Sequence, residues 1–196
     1  MNKNILKKIY RFFSSFWQYL GKVQGKSFRL IHISVALLVI IQILDSDYVH
    51  TRYGLNFGAY LHICGGMLIA VLSILLIFSA LEKRGLRYYY PYLFNDYSNL
   101  KSDLLELVNL KLPNPKSGSI AAIVQGFGLV VICIAWISGS IWFIAWNFQF
   151  DFAHSLKELH KSLVGLIEFY LYVHGFMGIV HYIVKKYFPR FISDIK

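Results

Sequence analysis

The sequence predicts an all-α protein, an integral membrane bundle of four helices, and three observations lead there. Hydrophobic residues make up 57% of the 196 and charged residues 15%, with a mean hydropathy of +0.51, more apolar than a soluble domain of this length needs for its core. Four long apolar stretches occur, at about 30–44, 58–81, 120–146 and 159–184, each near the ~20 residues that cross a hydrocarbon core. Runs of that length satisfy their own backbone groups in lipid only as helices. The third observation is where the cations fall. The net charge of +10 raises the possibility of a nucleic-acid partner, but 17 of the 20 Lys and Arg residues lie before span one, between spans two and three, or after span four. Only Arg52, Lys157 and Lys161 fall elsewhere. The positive-inside rule reads this split as both termini and the central loop in the cytoplasm, so the basicity reports orientation and no nucleic acid is implied. A multi-pass membrane protein with both termini in the cytoplasm is expected.

Residues 1–27 form a basic segment ahead of the membrane domain at 28–186. Aromatic and basic residues are mixed through NILKKIYRFFSSFWQYL, with no small-residue cleavage site, so the segment is expected to be retained. Ile5, Ile9, Phe12, Phe13, Phe16, Trp17 and Leu20 recur at helical spacing beside Lys3, Lys7, Lys8 and Arg11, as in an interfacial amphipathic helix; a frayed basic tail is the alternative. The links 45–57 and 147–158 are short and polar. The loop at 82–119 is long: a basic aromatic run RGLRYYYPYLF, then NDYSNLKSDLLELVNL, then the proline-bearing KLPNPKSGS. In its middle piece Leu100, Leu104, Leu107 and Val108 share a helical face, with Asp96 or Ser98 placed to cap the start, which predicts a surface helix docked on the membrane or the bundle. Residues 187–196 read as a cytoplasmic tail. Cys64 and Cys133 lie within spans two and three, form no CxxC pair, and read as inert core thiols.

Span four, LHKSLVGLIEFYLYVHGFMGIVHY, carries three histidines and a glutamate in a segment made for lipid. Polar groups at membrane depth are costly enough that each needs a partner. With the orientation above, His32 is near the inner side and His62 near the outer, while His160 is outer and His174 inner. The four sort into two depth-matched pairs, His62 with His160 and His32 with His174. Fourteen residues separate His160 from His174, which places them within about 40° around one helix and about 21 Å apart along it. That arrangement suits two stacked haems, each iron held by one histidine of span four and one of span one or two. A histidine-lined path for zinc or copper is the competing reading, although at this depth only Glu168 adds a carboxylate. His181, seven residues beyond His174, reads as a neighbour of the inner site; His50 and His154 are external.

These residues carry a family resemblance. FRLIHIS in span one, LHICGG opening span two, LRYYYPYLFNDYSNLKSDLLELVNLKLPNPKSGSIAAIVQGFGLVV through the loop into span three, and the span-four segment, in that order from about Arg29 to Tyr182, resemble the bacterial cytochrome b561 family in its broad sense, which includes the b-type cytochrome subunits of nickel-iron hydrogenases. The resemblance implies a four-helix protein with two haem b groups, with His32, His62, His160 and His174 in the axial positions and no ligand from span three. The residue after the outer span-four ligand is often acidic in relatives and is Lys161 here.

Haem propionates need cations near the membrane faces. Arg29, one turn before His32, is placed for the inner haem, and Lys157 and Lys161 flank His160 for the outer one; snorkelling to lipid headgroups is the alternative for all three. Glu168, between the two levels, is a candidate for a helix–helix hydrogen bond or a proton relay. The expected function is electron transfer across the membrane between an outer-face donor or acceptor and the quinone pool. The rivals are an electron-transfer anchor for a periplasmic dehydrogenase such as a hydrogenase, oxidation of a small donor such as superoxide, and a metal-ion permease.

Overall fold

The computed structural model describes residues 3–49 and 54–193, and His50, Thr51 and Arg52 lie outside the described residues. Among the described residues seven α-helices follow one another: α1 (Lys3–Val23), α2 (Lys26–Asp45), α3 (Phe57–Arg84), the single turn α4 (Leu86–Tyr89), α5 (Ser98–Val108), α6 (Ile120–Asn147) and α7 (Ala153–Tyr187). The four long apolar ones, α2, α3, α6 and α7, have the length and composition to cross a membrane and contain the four predicted spans. Two of them begin on side-chain caps. Asn56 Oδ1 accepts from the Ala59 N–H at 2.9 Å to cap α3, and Ser119 Oγ accepts from the Ala122 N–H at 3.1 Å to cap α6. Gly85, at φ 76°, ends α3 in the left-handed region that a side chain would strain.

The bundle packs in sequence, α2 on α3, α3 on α6 and α6 on α7, while the backbone of α7 stands apart from those of α2 and α3. All four helices still meet in one apolar core of Val35, Val39, Ile69, Val131, Ile132 and Ile167. Their other faces are rich in outward-pointing Leu, Ile, Val and Phe, such as Leu37, Ile41, Met67, Val71, Phe78, Ile141 and Phe169. A lipid solvent removes the penalty for that surface. Cys133 is half-buried, but Cys64 is on the outward face, so only one of the two expected core thiols faces the interior. A period of 3.6 identifies a helix; in lipid, apolarity does not tell which face is inside.

The basic aromatic segment is a helix, as the amphipathic reading of residues 3–23 expects, and it is docked. Phe12, Phe16 and Tyr19 surround the Tyr182 ring near the end of α7 at 5.2–5.5 Å between centroids. Ser15 Oγ hydrogen-bonds the Tyr182 hydroxyl, and Lys186 Nζ donates to both at 3.0 Å. The long loop is equally tied. Tyr90 donates to the Gly126 carbonyl at 2.9 Å, and a Cβ on Gly126 would meet Tyr89 at 2.9 Å, so the missing side chain admits the aromatic run onto α6. Neither Asp96 nor Ser98 caps α5, whose N-cap is Tyr97 with no side-chain cap bond; Asp96 Oδ1 instead accepts the Ser98 hydroxyl at 2.7 Å, and that bond, with the Arg87 guanidinium, holds the Asp96 carboxyl below the usual carboxylate range. Leu104, Leu107 and Val108 point outward, while the buried residue of α5 is Asp103. The predicted tail is pinned as far as Ser193, where Leu112 and Ile192 pair and Asn114 Nδ2 donates to the Ser193 carbonyl at 2.7 Å.

Candidate functional site

The two ends of the bundle each bring two histidines into one neighbourhood. At the end where α2 begins, the His32 and His174 rings face each other across the space between α2 and α7, 6.0 Å between centroids and nearly perpendicular at 78°. Phe28 lies 6.1 Å from His32, and Tyr170 stacks on His174 at 5.0 Å and 13°. Neither imidazole makes a hydrogen bond to a protein group among the described residues.

At the other end, His62 near the start of α3 and His160 near the start of α7 are each held by an oxygen partner on a neighbouring helix. Both rings are anchored through Nδ1. His62 Nδ1 lies 2.6 Å from Asp45 Oδ1, so a proton there is donated to the carboxylate. Ser138 Oγ donates to the Ala135 carbonyl at 3.0 Å and lies 2.9 Å from His160 Nδ1, so with its own proton committed it accepts the Nδ1–H. Both rings thereby keep Nε2 free with its lone pair, the arrangement that orients a metal-ligating histidine. Gly139 makes room, since a Cβ there would meet His160 Cε1 at 3.0 Å.

Asp45, Ser138 and Gly139 are not among the residues singled out from the sequence. The signal was present: Asp45 closes the apolar run of span one at the depth of His62, and SGS interrupts span three at the depth of His160. Recognising them needed the packing of α2 on α3 and of α6 on α7. Of the other candidates, Arg29 is engaged by α1, with Nη1 donating to the Trp17 carbonyl at 2.8 Å and its guanidinium 4.1 Å above the Trp17 indole. Lys161 pairs with Glu158 on its own helix at 3.1 Å, and Lys157 lies 5.8 Å from the Trp142 ring. Glu168 is half-buried between the two levels and makes no hydrogen bond or ion pair among the described residues. His181 is half-buried, and His154 is exposed.

A flat group with two imidazoles fits these surroundings better than a bare ion. Two rings bonded through nitrogens at about 2.0 Å from one metal stand about 6 Å apart between centroids, close to the His32–His174 spacing. Among the described residues no three His, Cys, Asp or Glu side chains converge, whereas a protein-held zinc calls for three or four.

Residues 23–194 match the family described as prokaryotic cytochrome b561. The chain belongs to that family. It is therefore a bacterial membrane b-type cytochrome of electron transfer, and b-type haem binding is implied. No curated protein and no solved structure matches the cytochrome. Helix α1 lies almost wholly ahead of the matched residues.

Proposed function

We propose that the cytochrome holds two b haems, one between His62 and His160 and the other between His32 and His174, and connects a redox partner at its outer face with the quinone pool. The observation that carries this reading is the approach of the His32 and His174 rings, 6.0 Å between centroids, from α2 and α7 at one level, with His62 of α3 and His160 of α7 at the other supporting a second pair. Each haem, when bound, supplies a one-electron couple at its iron.

The chain's residues do the rest. His32, His62, His160 and His174 would hold the irons, and with two imidazoles to each iron dioxygen binding would be disfavoured and electron transfer favoured. Asp45 and Ser138 fix two of the rings through Nδ1. Val35, Val39, Ile69, Val131, Ile132 and Ile167 lie between the levels and keep water out. Arg29, near the inner level, and Lys157, near the outer, supply cations at opposite ends for acidic substituents, while Lys161 is neutralised by Glu158. The charge distribution supports both termini in the cytoplasm, with residues 28–186 as the cytochrome domain, 1–27 as its docked extension and 187–196 as a short tail.

A dithionite-reduced minus oxidised spectrum with haem quantitation on purified protein tests the reading. Two b haems per chain are expected, with both reducible by a quinol. A colourless protein, or one haem per chain, would overturn it.

A further inference from the structure

The two imidazole pairs are alike in ligand type and unlike in surroundings. At the His62–His160 level each Nδ1 has an oxygen partner, one a carboxylate at 2.6 Å and the other a hydroxyl at 2.9 Å. At the His32–His174 level the nearest partners are the rings of Phe28 and Tyr170. We propose that this contrast sets the two irons at different potentials, the His62–His160 iron lower, with Asp45 as the residue chiefly responsible. The inference rests on the two-haem reading and adds to it an energetic direction.

An imidazole that gives its N–H to a carboxylate becomes a stronger donor at Nε2. Ferric and ferrous iron differ by one electron, and both the stronger donor and the nearby negative charge favour the more positive, ferric form. Asp45 thus holds back reduction at its level. Ser138 acts the same way but weakly, being neutral. At the other level the aromatic surroundings disfavour the additional positive charge of the ferric form, which raises the potential there. Neighbouring cations do not reverse the order: Lys161 is matched by Glu158, Lys157 lies against Trp142, and Arg29 sits at the higher-potential end. An electron shared between the two levels therefore rests mainly at His32–His174. Asp45 is a positioning residue, acting through His62.

Spectroelectrochemistry of the haem-loaded protein tests this without any turnover assay. Wild type should show two one-electron transitions. Asp45→Asn should keep both haems and raise the lower one by on the order of tenfold in its reduction equilibrium, about 59 mV for one electron, with little change in the upper. Asp45→Glu should return it towards the wild-type value, and Ser138→Ala should move it less than Asp45→Asn does. Independently, His160→Ala should leave one haem with the higher of the two wild-type potentials. Should Asp45→Asn fail to retain its haem, the His160→Ala comparison decides alone. A lower transition unmoved by Asp45→Asn with both haems present, or a His160→Ala protein retaining the lower potential, overturns the inference and leaves the two-haem reading intact. A wild-type protein without haem removes both.

Discussion

Asp103 Oδ2 accepts the backbone N–H of Ile120 at 2.9 Å, so a loop carboxylate caps the first turn of a membrane helix 17 residues further on. Asp103 is fully buried, and Lys116 Nζ lies 3.3 Å from its other oxygen. Asp103→Ala strips the cap and leaves Lys116 unmatched, and should cost about 1–3 kcal/mol. The check is a thermal-unfolding midpoint in detergent, where Asp103→Asn, which keeps an acceptor, should lose less.

Ligand pairing makes a sharper statement. Replacing His62 or His160 by Ala should delete one and the same spectral component, and replacing His32 or His174 the other, as read from the α-band at low temperature. Loss of the second component on replacing His181 instead of His174 would break the inner pair.

Gly128 faces Tyr170, whose phenol occupies the space a Cβ would need. Gly128→Ala should push Tyr170 off the His174 ring at an overpacking cost of about 1–3 kcal/mol. The spectrum of the His32–His174 component should shift while the other stays fixed; Gly139→Ala, crowding His160, should do the reverse.

Orientation can be read by labelling. In a background with Cys64 and Cys133 replaced by Ala, an impermeant thiol reagent added outside should reach a cysteine introduced at Thr51 and miss one at Lys116. The opposite pattern would exchange outer and inner throughout and leave the pairs untouched.

The long helices were legible because period and length both point to them, and the approach of His32 to His174 because span order fixes depth. What the sequence did not disclose was which surface faces inward. Leu104, Leu107 and Val108 announced a helix at 98–108, yet they point away from the bundle and a carboxylate points in, since an apolar exterior costs nothing beside lipid. Asp45 read as the first polar residue of a link; its role depends on α2 and α3 meeting where each is half-exposed at its end. Arg29, placed from its own helix near the inner level, also donates to the Trp17 carbonyl of a segment whose docking no periodicity could reveal.

Ser15 and Tyr182 stand 167 positions apart, and they hold α1 against the far end of α7. During biosynthesis the first of these residues leaves the ribosome long before the second, so the clasp between them cannot close until the last span has been inserted. Until then α1 must wait at the bilayer surface, where its own mixture of basic and aromatic side chains suits it to stay. The junction of α1 with α7 is thus among the last contacts of the molecule that can form.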